Sequence, residues 1–125
     1  MTTILIIEDN PAHRKLAGLL LQRFGHATLG ADSAAAGLRL AREERPDLIL
    51  MDIDLPDMSG LDATRQLKAD AATRAIPVIA VTAYLAEFPE QEARAAGCAG
   101  FLAKPYHHAE LRAAVAAALG GRAAE

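Results

Sequence analysis

Ile4-Leu5-Ile6-Ile7-Glu8-Asp9-Asn10 opens as four uninterrupted apolar residues and then turns abruptly acidic. A continuous aliphatic run offers no polar face to water, so it reads as a strand buried on both sides. Leu48 to Met51 is a second such run. Val78 to Val81, introduced by Pro77, is a third. Weaker strands are expected over Ala27 to Leu29 and Gly100 to Leu102. Between them lie segments with helical spacing. From Pro11 to Gly25, apolar residues fall at Leu16, Ala17, Leu20, Leu21 and Phe24, which predicts one buried stripe. Pro11 suits a first helical turn and Gly25 a stop. Ser33 is placed to cap a second helix reaching about Glu44, with Leu38 and Leu40 among its apolar positions. A third helix is expected after Gly60, a fourth from about Pro89 to Ala96, and a fifth from about His108 to Leu119. Five strands alternating with five helices predict an α/β fold: a doubly wound (βα)5 arrangement, with a five-stranded parallel sheet and helices on both faces.

The bulk properties agree with that fold class and exclude several functions. The chain has 125 residues, 52% of them hydrophobic and 4% aromatic. It is long enough to bury a core without disulfides or a structural metal. One domain is expected over residues 1–121, with a frayed tail at 122–125. The net charge of −3 and the lack of a Lys/Arg cluster argue against nucleic acid as a partner. The apolar runs fall far short of the roughly 20 residues that span a bilayer. Met1-Thr2-Thr3 carries no basic region of the kind that opens a signal peptide. Cys98 is the only cysteine, so it forms no internal disulfide and reads as a small buried hydrophobe. A cytoplasmic protein with no membrane partner is expected. Ala and Arg enrichment with only three Lys suggests a GC-rich genome.

In an open parallel sheet, ligands bind beyond the carboxyl ends of the strands. The first strand ends in Glu8-Asp9, the third in Asp52 and the fourth in Thr82. Lys104-Pro105 follows the fifth. Each has an ordinary reading when taken alone. Glu8-Asp9 suits a polar loop, Asp52 a cap, and Thr82 any strand. Four of five strand ends bearing such groups make coincidence a poor explanation. Carboxylates held close repel one another unless a cation joins them. Oxygen ligands of this kind suit Mg2+, which keeps several waters and prefers few protein ligands plus a phosphate. Asp52 is placed to attack a phosphoryl group, Lys104 to pair with its oxygens as a point charge, and Thr82 to donate a hydrogen bond.

These segments resemble the response regulator receiver family. The likeness rests on Ile4 to Asn10, Asp47 to Asp52, Leu55-Pro56-Asp57-Met58-Ser59-Gly60, Pro77 to Ala83, and Lys104-Pro105. It covers essentially the whole chain, and a single-domain cell-division regulator of the family looks especially similar, the Cys98 region included. The resemblance implies a flavodoxin-like fold and a Mg2+-dependent switch phosphorylated on Asp52. The donor is a histidine kinase or a histidine phosphotransfer protein. It further implies that Asp9 and Asp52 ligate Mg2+ directly, that the Asp54 backbone carbonyl completes the protein ligands, and that Glu8 acts through water. Lys104 would contact the phosphoryl group, across a cis Lys104-Pro105 peptide. Thr82 and Phe101 are the expected switch pair. Many members carry Tyr where this chain has Phe101, so a contact needing the hydroxyl is lost here. Asp54 and Tyr84 stand where phosphoryl lifetime is tuned. The first helix is the family's donor-docking element, and Gly18 with an outward Leu19 is expected to form part of that surface. His13, His26, His107 and His108 read as structural or surface residues without zinc-site spacing.

No output domain is recognisable, so output is expected through contact with a downstream protein, by a monomer or weak dimer. The expected face joins the fourth helix, fifth strand and fifth helix. A shuttle or sink in a phosphorelay needs the same site. A phosphorylation-independent adaptor fits poorly with intact Asp9, Asp52, Thr82 and Lys104. Asp52-Ile53-Asp54 also matches the D-x-D of haloacid dehalogenase-type phosphatases. Those normally carry it on the first strand, however, and in longer chains.

Overall fold

The computed structural model describes residues 1–83 and 89–123. Strands and helices alternate throughout: β1 (Thr3–Ile7), α1 (Pro11–Arg23), β2 (Ala27–Ala31), α2 (Ala34–Glu44), β3 (Leu48–Asp52), α3 (Gly60–Ala69), β4 (Val78–Thr82), α4 (Pro89–Ala96), β5 (Gly100–Ala103) and α5 (His108–Ala123). The strands form one sheet in the order β2-β1-β3-β4-β5, and every pairing is parallel. The three uninterrupted apolar runs are its three central strands. β2 and β5 form the edges, where partial exposure weakens the sequence signal; they extend to Ala31 and Ala103, beyond the expected Leu29 and Leu102.

Strand residues alternate between two cores, as the pleat requires. Leu5, Ile7, Ile49, Met51, Val78 and Ala80 face α2, α3 and α4. Ile4, Ile6, Leu48, Leu50, Ile79 and Val81 face α1 and α5 through Ala17, Leu21, Leu111 and Val115. The doubly wound arrangement is as expected.

Local sequence sets most helix starts. Asn10 caps α1, its side chain accepting from the Ala12 and His13 amides at 2.9 and 3.1 Å. Ser33 caps α2 through the Ala36 amide at 3.2 Å. Two expectations are corrected. Leu16 is not on the buried stripe but 58% exposed, while the expected Ala17 and Leu21 are buried together with Gly18, and Leu20 and Phe24 pack partly buried against the same core. Gly18 is therefore not a surface residue. A Cβ there would sit 3.8 Å from Ile6 Cδ1 and 3.9 Å from Thr28 Oγ1. Those are ordinary van der Waals distances, so Gly18 is buried by its place on the helix and not by a lack of room for a side chain. Leu19 does face outward, at 55% exposure. The last helix runs through Gly120 to Ala123, past the expected end at Leu119.

Candidate functional site

The chain order reverses between β1 and β3. β2 lies on one side of this pair, while β4 and β5 lie on the other. Connections leave such a switch point in opposite directions and open a crevice at the carboxyl edge. Glu8, Asp9 and Asp52 stand at that crevice, each offering a carboxylate oxygen within 4.8 Å of the others. Glu8 and Asp52 are buried and Asp9 is exposed.

Burial dominates the electrostatics. It pushes the Asp52 carboxyl up to about 7, aided by the hydrogen bond and negative charge of Glu8 and opposed by the Asp54 amide and Lys104. Burial also pushes Glu8 upward, but hydrogen bonds from Asp52, Lys104 and the Asn10 amide outweigh it and leave Glu8 below its ordinary value. Asp52 is thus the member of the pair that is harder to ionise. Lys104 is likewise penalised by burial, yet the Glu8 bond and the charges of Asp52 and Glu8 leave its ammonium above its usual range. Its Nζ bonds Glu8 Oε1, lies 3.6 Å from Asp52 Oδ2, and sits 3.3 Å from His13 Nδ1. The Lys104-Pro105 peptide is cis, as expected.

The loop after β3 completes the cradle. The Asp54 amide donates to Asp52 Oδ1 at 3.0 Å. The Thr82 hydroxyl donates to Asp54 Oδ2 at 2.7 Å, so Thr82 points toward the acidic edge while 2% exposed. Gly60 permits the tight return: its amide donates to the Ile53 carbonyl at 2.8 Å, and a Cβ would lie 2.2 Å from the Asp52 carbonyl oxygen. Asp57 ties this loop to α2, accepting from the Ala34 and Ala35 amides at 2.9 Å each. Those hydrogen bonds hold its carboxyl below the usual range, and the helix dipole favours the same charge.

Glu8, Asp9, Asp52, Asp54, Thr82 and Lys104 therefore gather at one edge as the sequence suggests. Phe101 is half-buried against the core on the α2–α4 side. Tyr84 lies outside the described residues. Leu19 is some way round α1, in a groove with Pro11, Arg14, Lys15 and Gln22. The sequence reading missed three residues. Asp57 contacts α2 from 22 and 23 positions away, and nothing local marks that pairing. Tyr106 and His13 both line the crevice. His13 had a faint signal: it stands in the first turn of a helix that starts directly after the acidic pair. Tyr106, His13 and Lys104 also border an apolar groove of about 370 Å³ with Leu16, Leu20, Ala83 and Pro105.

A hard-cation test favours Mg2+. The donors are carboxylates, one is exposed and able to share solvent ligands, and burial together with the neighbouring Glu8 raises the cost of ionising Asp52, which a cation would offset. Among the described residues, no helix is long and apolar enough to cross a membrane.

Known proteins point the same way. A family model described as the response regulator receiver domain matches residues 4–116. The polar-differentiation response regulator DivK of Brucella anthropi is 46% identical over 103 residues, covering 82% of this chain and 84% of that protein. The receiver domain of sensor histidine kinase PA1611 from Pseudomonas aeruginosa PAO1 has a magnesium ion coordinated in its active site cleft. It superposes with a TM-score of 0.87 at 33% identity, over 95% of this chain and 98% of that one. A CheY-like receiver protein from Methanospirillum hungatei JF-1 reaches 0.89 at 26% identity, over 97% and 95% of the two chains.

Proposed function

Because this chain belongs to the response regulator receiver family, we propose that Asp52 accepts a phosphoryl group from a partner's phosphohistidine and that a downstream protein reads the change. Receivers are signalling domains, and partnership with histidine kinases or phosphotransfer proteins follows from membership. One observation carries the assignment to Asp52. It is the carboxylate that ends a central strand at the switch point, flanked by two further carboxylates and the Lys104 ammonium.

The ionised Asp52 carboxylate attacks phosphorus, the P–N bond to the donor imidazole breaks, and that imidazole leaves with its electron pair and takes up a proton. Asp9, Asp52 and the Asp54 backbone carbonyl would hold Mg2+, with Glu8 acting through water. When bound, the ion supplies positive charge against the carboxylates and the transferred group. Asp52 must lose its proton before attack. Lys104 exchanges its Glu8 bond for the new phosphoryl oxygens. The Thr82 hydroxyl leaves Asp54 and donates to another of these oxygens, and Phe101 packs into the space vacated. The added charge of about −1.5 to −2 is enough to drive that exchange. Asp54 and Tyr84 set how long the acyl phosphate survives, Tyr84 by shielding it from water. Replacing Tyr84 with Ala should then speed hydrolysis.

Donor docking falls to α1, through outward Leu19 and the exposed Leu16 beside the apolar groove. Output falls to the face of α4, β5 and α5. Incubation with acetyl phosphate and Mg2+ tests the core reading. Intact-mass spectrometry should show one added phosphoryl group, lost in Asp52→Asn. An unlabelled wild-type protein would reject the assignment.

A further inference from the structure

We propose that His13 is a positioning residue for Lys104, holding the ammonium over Asp52 by accepting its hydrogen bond at Nδ1. The inference rests on the receiver reading of the site and adds a residue to it. His13 Nδ1 lies 3.3 Å from Lys104 Nζ and 3.7 Å from Glu8 Oε1. Only the first distance is within hydrogen-bond reach, and an ammonium only donates. Nδ1 therefore accepts, with the ring proton on Nε2.

The placement is built, not accidental. The Asn10 side chain accepts from the His13 amide, which pins the first turn of α1 against the end of β1. Arg14 in the same turn donates to the Glu8 carbonyl at 2.8 Å. The backbone of His13 is thereby fixed, and its half-exposed imidazole lies at the lip between two spaces, bordering both the carboxylate crevice and the apolar groove.

A neutral acceptor at this lip has a specific use. In the resting site Lys104 is bonded to Glu8. When Lys104 turns to a phosphoryl oxygen, it gives up that partner. Its stem lies beside Pro105 and Tyr106, along which the ammonium could swing into the groove. His13 retains one Nζ proton without neutralising the charge that the phosphoryl group needs.

Fluoroberyllate with Mg2+, which mimics the phosphoryl group on a carboxylate, tests this through 19F resonances of the bound form. His13→Ala and His13→Leu should weaken its apparent affinity by about two- to tenfold, the worth of one hydrogen bond. His13→Asn should restore it, because Asn Oδ1 can occupy the position of Nδ1. His13→Gln, whose carbonyl reaches further out, should not. Thermal midpoints measured without fluoroberyllate separate misfolding from loss of the bond. Unchanged affinity in Ala and Leu overturns the proposal, as does an Asn variant no better than Leu. Wild-type protein that binds no fluoroberyllate removes the receiver reading and this inference together. A wild type that binds normally, with unresponsive His13 variants, removes the inference alone.

Discussion

Asp52 sits near 7 because burial and Glu8 both oppose its charge, and this sets a pH dependence with a definite sign. A folded-state value above the unfolded one contributes stability at low pH and loses it as pH rises. For Asp52 that contribution is complete below the ordinary 3.8 and is lost by the time pH has passed about 7. Glu8 runs the other way: its lowered carboxyl contributes above 4.5 and fades as pH falls through its folded value. In EDTA, the melting temperature should therefore decline between pH 5.5 and 8. Asp52→Asn should flatten that decline and add about 1 to 3 kcal/mol at pH 8. Mg2+ affinity, followed by calorimetry, should rise across the same interval, because the ion competes with the Asp52 proton. A metal-free protein with no pH dependence there would contradict the buried-pair picture. Gly60 makes a second residue-scale case. With Asp52's carbonyl oxygen 2.2 Å from the Cβ position, Gly60→Ala should lower stability by about 2 to 4 kcal/mol in urea unfolding. It should also weaken Mg2+ binding, since the displaced backbone belongs to Asp52 itself.

Helix α1 shows how an element's buried stripe can be legible in all but its edge. The apolar stripe was legible at Ala17, Leu20, Leu21 and Phe24, which all pack toward the core, but Leu16 was counted on it and lies outside, while Gly18 lies inside. Spacing alone leaves the edge of a stripe ambiguous by one position, and packing against the sheet puts Gly18 inside and Leu16 outside. Leu16 and Leu19, one turn apart, are left exposed and border different grooves. Leu19→Glu and Leu16→Glu should each slow phosphotransfer from the cognate donor by about tenfold or more, as desolvated contacts at an interface do. Labelling by acetyl phosphate, which docks on no surface, should stay at the wild-type rate. Equal rates from the protein donor would remove α1 from the docking surface.

At the scale of the molecule, the strand order gives the proposed phosphorylation a route beyond the site. Thr82 ends β4 and contacts Asp54 at one edge. β4 pairs with β5 along four residues, Phe101 among them. On the proposed switch, a movement of Thr82 would reach Phe101 through one pair of hydrogen-bonded strands. Fluoroberyllate with Mg2+ should alter amide hydrogen exchange in β5 and along the faces of α4 and α5, while β2 and α2 stay unchanged. Thr82→Ala should still accept the phosphoryl group but lose most of that exchange response. A response spread evenly over all five helices would argue against this route.

Strand and helix order, the two-sided burial of β1, β3 and β4, and the polar residues at the strand ends were all readable from the chain. Each depends on a pattern of neighbours in sequence: apolar runs, helical spacing, caps and punctuating Pro or Gly. The edge of the α1 stripe, the Asp57 clasp on α2, and the meeting of His13 and Tyr106 with Lys104 came only with the packed molecule. These depend on which side chains fill the space between elements, and Lys104 stands 91 positions from His13. Short-range pattern carries no information about contacts at that separation until the sheet has closed the distance.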